Sequence, residues 1–183
     1  FNVLSAKKGQ FADCYVVSFG EGLVNTFALR QQFEWAWENK KFEGELWHGY
    51  KAENFGYSEE IRQKTQAIFN QTEVFILTLG LSEVWFDQIT GEVLWRAVPR
   101  AKYDESRHKF RVATVEENKQ NIRAIYKLIK KYKPNSKVIF TLSPIPLMAT
   151  FRPVSCISAN NISKASLRAA LDEFMSEIDE QNT

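Results

Sequence analysis

The octapeptide Thr78-Leu79-Gly80-Leu81-Ser82-Glu83-Val84-Trp85 puts a glycine, a hydroxyl and a carboxylate directly after the apolar run Val74-Phe75-Ile76-Leu77. Ligands of open α/β sheets bind beyond the carboxyl ends of the strands, so a core strand that ends this way can be building a site. A surface turn is the plainer alternative. Two other segments have the same form. Gly20–Thr26 (GEGLVNT) follows Val16-Val17-Ser18-Phe19, and Ser143–Pro146 (SPIP) follows Val138-Ile139-Phe140. Glycines let the backbone turn sharply or approach a ligand closely. Backbone N–H groups near Gly80 and Leu81, with the Asn25 amide as a further donor, have the makings of an oxyanion hole. Gly22, Asn25, Gly80, Ser82, Glu83 and Ser143 are therefore the candidate cleft residues.

Each has a competing structural role. Asn25 and Thr26 are good helix caps, and capping alone accounts for them. Glu83 is either an exposed turn carboxylate or a brace that accepts backbone N–H groups, since a buried carboxylate needs such partners. Ser143 reads as a turn hydroxyl, because no G-x-S-x-G elbow surrounds it. The two histidines do not complete a nucleophilic triad. His48 sits between aromatics in LWHGY. His108 lies in the charged stretch DESRHKF, four residues after Asp104. Neither stands beside a serine or cysteine in a nucleophilic context. Nothing marks Cys14 or Cys156 as an activated thiol. No phosphate-binding glycine loop is present, since FGEGL is too short a signal, so no nucleotide or other cofactor is expected. The two cysteines make neither a metal site nor a disulfide framework.

The elements that must position these residues follow from periodicity and punctuation. A helix over about Phe27–Asn39 carries Leu29, Phe33 and Trp37 near one face. Ser58 opens a second helix with the stripe Ile61, Thr65, Ile68 and Phe69. Val74–Leu79 is apolar throughout, the pattern of a strand covered on both faces. Val84–Asp87 and Glu92–Arg96 flank Thr90-Gly91 and read as a hairpin, with a further short strand at Phe110–Val112. Thr114 and Glu117 form a capping box for a helix to about Lys131, its stripe being Ile122, Ile125, Tyr126 and Ile129. Val138–Phe140 is another strand, which the prolines of SPIPL end. A last helix is expected after Asn160-Asn161, with Leu167, Leu171, Phe174, Met175 and Ile178 inward. This alternation predicts an α/β protein with a mainly parallel sheet.

The composition fits that class. With 183 residues, 44% of them hydrophobic, the chain suits one domain with one core. Fourteen Phe, five Trp and six Tyr predict a core rich in ring packing. A net charge of +2 is too small to mark a nucleic-acid partner. The basic run Lys127–Lys133 is the solvated end of an amphipathic helix. No apolar run is long enough to span a membrane. There is no secretory signal, and two cysteines suit a reducing cytoplasm. The chain starts at Phe1 within what reads as a running strand, so residues 1–183 are expected to be a single, partial domain. A parallel sheet lacking a strand would leave edges that invite self-association.

FILTLGLSEVWFDQITGEVL (75–94), VIFTLSPIPLMATF (138–151), ANNISKASLRAAL (159–171) and LVNTFALRQQFEWA (23–36) together resemble the GSCFA family, in order and over most of the chain. That family is related to SGNH (GDSL-like) hydrolases. The resemblance implies a three-layer α/β/α sandwich of SGNH, flavodoxin-like type with a β-hairpin insertion. It also implies esterase or acyltransferase chemistry on a carbohydrate or other acyl ester. In that scheme a serine attacks the ester carbonyl, a histidine activates it, and glycine and asparagine donors hold the oxyanion. GLSE stands where SGNH enzymes carry G-x-N-D: Gly80 matches, while Ser82 and Glu83 replace the asparagine and the aspartate. The Gly-Ser-Cys-Phe-Ala segment that names the family, expected to carry the nucleophile, does not occur in the sequence, nor does the later aspartate–histidine segment. The resemblance thus makes this chain the central body of the domain, inactive by itself. A non-catalytic module that binds a sugar or protein in the same cleft is the alternative.

Overall fold

A computed structural model describes residues 25–43, 58–95, 97–98 and 100–181. The strand read at Val16–Phe19, and with it Cys14, Gly22 and His48, lies outside the described residues.

The first helix, α1 (Thr26–Glu38), is capped by Asn25, whose Oδ1 accepts the Ala28 N–H at 2.8 Å. It ends where Asn39 takes up a left-handed φ of 52°, a conformation asparagine tolerates better than most residues. Residues 31–37 are all buried, so α1 is an inner helix rather than a surface one. Its Phe33 and Trp37 stack with each other and on Phe69 and Tyr132 respectively, and meet Phe75 edge-on, in one aromatic nucleus. The second helix, α2 (Glu59–Gln71), starts at Ser58, whose Oγ accepts the Ile61 N–H. It buries Thr65, Ile68 and Phe69 as its stripe predicts.

Strand β1 (Val74–Leu79) pairs in parallel with β4 (Lys137–Leu142), in register from Val74 opposite Lys137 to Leu79 opposite Leu142. The crossover helix α3 (Val115–Tyr132) carries the capping box: Thr114 accepts the Glu117 N–H, and Glu117 accepts the Thr114 N–H. Its Ile122, Ile125 and Ile129 face the core. The last helix, α4 (Cys156–Gln181), packs on α3 through Leu167, Ala170 and Phe174. Arg123–Glu177 and Lys119–Glu173 ion pairs seal the rim of that contact. Among the described residues the fold is a mixed α/β arrangement of four α-helices, one small parallel sheet and one antiparallel pair.

Four expectations need correction. Among the described residues strand β1 is covered on one face: Phe75, Leu77 and Leu79 are buried, but Ile76 is 65% exposed and Ile139 on β4 is 46% exposed. The helices that share a cluster with β1 all meet its buried face. The hairpin forms its turn, with Gly91 at φ +75° and its N–H on the Asp87 carbonyl at 2.7 Å. Its return arm, however, joins by a single bridge, Phe86–Val93. On its other edge, strand β2 (Glu83–Asp87) pairs antiparallel with β3 (His108–Val112) along its whole length. The return arm is drawn onto α1: Leu94 and Trp95 are buried there, and Gln31 bonds both the Trp95 N–H and the Val93 carbonyl. Helix α4 begins at Cys156, ahead of Asn160-Asn161, because Ser155 Oγ receives the Ser158 N–H at the helix start. Met175 of α4 is 45% exposed rather than inward.

Candidate functional site at the carboxyl edge of the parallel pair

Because β1 and β4 run in register, their carboxyl ends leave the sheet side by side, and the Ser143 N–H still bonds the Leu79 carbonyl at 2.8 Å. Two of the three segments singled out in the sequence, Gly80–Glu83 and Ser143–Pro146, therefore meet at one edge. The third contributes its described end. The Ala113 N–H bonds the Ser82 carbonyl at 2.7 Å, Thr114 caps α3, and Asn118 one turn on accepts the Thr26 hydroxyl at 2.8 Å. Asn25 and Thr26 thus stand at the same end of the molecule. Asn121 Nδ2 donates to Thr26 Oγ1 and its Oδ1 accepts from Arg30, which makes a polar seam between α1 and α3.

Ser82 is fully buried and serves as a clamp. Its N–H donates to Ser163 Oγ at 3.1 Å and its hydroxyl to the Ser163 carbonyl at 3.2 Å. The main chain and side chain that would have faced an oxyanion are spent on docking α4. Lys164, the next residue, donates from Nζ to the Gly80 carbonyl at 2.6 Å. Burial lowers the Lys164 pKa from its ordinary value. Asn25 acts as a helix cap through its Oδ1. Ser143 is a turn hydroxyl, its Oγ accepting the Ile145 N–H at 3.2 Å.

Glu83 is only 9% exposed, and it is a brace of a different kind from the one expected. Among the described residues no backbone N–H reaches its carboxylate; the Thr150 hydroxyl donates to it, at 2.7 and 3.0 Å to the two oxygens. Thr150 Oγ1 in turn accepts the Arg152 N–H at 3.1 Å. Glu83 therefore pins the segment after β4 across the start of β2. That segment is also tied to α4, where Asn160 Oδ1 accepts the Leu147 N–H at 3.2 Å. Beside it, Phe151 lies edge-on to Trp85 at 4.8 Å, and Phe110 closes the cluster.

The Asp104–His108 spacing is a loop clasp rather than a catalytic pair. His108 is buried and its Nδ1 accepts the Asp104 N–H at 3.0 Å, while the Asp104 carboxylate takes the Ser106 N–H and hydroxyl. No group of His, Cys, Asp and Glu among the described residues is arranged to hold a metal. No described helix is long and apolar enough to cross a membrane.

Thr150, Asn160, Ser163 and Lys164 were not singled out from the sequence. One signal was available. Ala159, Ser163 and Leu167 recur at four-residue spacing on the inward face of α4, and a buried serine in such a row needs a polar partner. No curated protein and no solved structure matches the chain. The GSCFA family matches residues 7–182, which takes in every element described above. The chain belongs to the GSCFA family.

Proposed function

We propose that this chain is the body of an SGNH-like esterase or acyltransferase that acts on a carbohydrate or other acyl ester. The observation that carries the reading is the in-register parallel pairing of β1 and β4 within a GSCFA chain, with Gly80 and Ser143 leaving the sheet together. In an α/β sheet that edge is where a substrate is held. In this reading the described elements form part of a single three-layer α/β/α domain that works in the cytoplasm. The Gly80–Glu83 loop shapes the cleft floor, and Glu83 and Thr150 fix the segment that lines its side. No serine, histidine and carboxylate come together as a triad among the described residues, so the reacting groups come from other segments. The test is hydrolysis of a series of p-nitrophenyl acyl esters by the full gene product, with and without a sugar acceptor. Turnover supports the reading, and transfer to the sugar distinguishes a transferase from a hydrolase. Absence of turnover across the series would overturn it.

A specific observation favours a second reading, a non-catalytic module that binds a sugar or protein in the same cleft. The Ser82 N–H and hydroxyl both donate internally to Ser163, so they offer nothing to an oxyanion. Saturable sugar binding without turnover of any ester would select it.

A further inference from the structure

Lys164 differs from the helix cations that pair with carboxylates, and unlike Lys130, which reaches two carbonyls, it reaches one. Lys119 pairs with Glu116 and Glu173, Arg123 with Glu177, and Lys131 with Glu38. Lys164 is half-buried, and its Nζ meets the Gly80 carbonyl at 2.6 Å as its one hydrogen-bond partner among the described residues. The nearest carboxylate along the loop, Glu83, is bonded by Thr150. An ammonium group has three donors and is costly to bury without an opposite charge.

Arg152 makes the same case independently. Its Nη1 is buried and has no hydrogen-bond partner among the described residues. It lies on the segment that Leu147 ties to Asn160, four residues before Lys164, and that Thr150 ties to Glu83, three residues after Gly80. Among the described residues neither cation has a carboxylate partner, and both sit on segments tied to the Gly80–Glu83 loop. We infer that Lys164, with Arg152, forms an anion site at the carboxyl edge of β1 that takes the carboxylate or phosphate of a small acidic ligand. Partial burial leaves both groups able to donate a charge-assisted hydrogen bond to an anion, which would satisfy the Arg152 Nη1 and the remaining Lys164 donors. The inference goes beyond the ester-chemistry reading and does not need it.

The test is a nuclear magnetic resonance titration of the full gene product with acetate and, separately, with inorganic phosphate, at ionic strength held constant with chloride. The backbone amides of Gly80, Leu81 and Ser163 report the site. The solvated run Lys127–Lys133 reports unspecific attraction. The expected result is saturation at Gly80–Ser163 at concentrations about tenfold or more below those that move Lys127–Lys133, for at least one anion. Acetate alone would mark a carboxylate ligand, and phosphate alone a phosphate ester. Lys164→Gln should abolish that saturation. If Lys164→Gln does not fold, Arg152→Gln decides instead, because its side chain does not hold the Gly80 carbonyl. Shifts no stronger than those of the basic run, or saturation unchanged in the deciding variant, would overturn the inference. Neither result depends on ester turnover, so the two proposals stand or fall separately.

Discussion

At the scale of single residues, the polar side chains after β1 are engaged in holding segments together. Glu83 and Thr150 form a part-buried, charge-assisted pair that joins β2 to the segment after β4. Glu83→Ala should lower stability by about 1–2 kcal/mol, or roughly 3–6 °C in a chain of this size. Thr150→Val should cost a similar amount, and the double variant should cost less than the sum because both remove the same contact. Additive losses in thermal denaturation would show that the two do not act as a pair. Ser163→Ala removes the Oγ that receives the Ser82 N–H and leaves that donor buried and unpaired. It should cost about 1–3 kcal/mol by the same measurement. Which residues gather at this edge was legible from the sequence for Gly80, Ser82, Glu83 and Ser143, because small and polar residues interrupted apolar strands. Their partners were not legible. Thr150, Ser163 and Lys164 reach them across 67 to 84 positions of chain, and nothing local encodes a contact of that range.

At the scale of elements, the signals that worked were chemical and local. The Thr114–Glu117 capping box, the Ser58 and Asn25 caps and the proline stop after β4 all lie where their side-chain chemistry puts them. The signals that failed were those a distant surface can outweigh. The return arm of the hairpin had good turn residues, yet burial of Leu94 and Trp95 against α1 decided its path, so it keeps only a short contact with β2, and β3 forms the longer ladder on the other edge. Two carboxylates on these elements make stability depend on pH. Burial alone would raise the Asp87 pKa, but the Ile89 N–H and Arg107 outweigh it and hold the carboxyl below its ordinary value. Partial burial of Glu117 is likewise outweighed by Arg111 and the Thr114 cap. Groups with lowered folded-state pKa contribute stability that is full above about pH 4.5 and is lost as pH falls through the depressed values. The urea midpoint should therefore drop between pH 5 and pH 3, and the drop should be shallower in Asp87→Asn. An identical pH slope in that variant would remove Asp87 from the account.

At the scale of the whole molecule, one face of the β1–β4 pair is buried by helices, and the other presents Val74, Ile76 and Ile139. Exposed apolar strand surface favours association. The 183-residue chain should sediment as a concentration-dependent mixture, and Ile76→Thr with Ile139→Thr should shift it toward monomer. A wild-type chain that stays monomeric over a wide concentration range would contradict this. The central claim is that acyl-ester chemistry takes place at the shared carboxyl edge of β1 and β4. It is tested most directly by p-nitrophenyl acetate turnover in the full gene product, comparing wild type with Gly80→Ala. Gly80 is buried where β1 leaves the sheet, so a methyl group there should crowd the cleft floor. The account predicts measurable turnover that falls about tenfold or more in Gly80→Ala, a loss of about 1.4 kcal/mol in transition-state stabilisation, while the circular dichroism spectrum stays that of a folded chain. Turnover that is undiminished in a folded Gly80→Ala variant would contradict it.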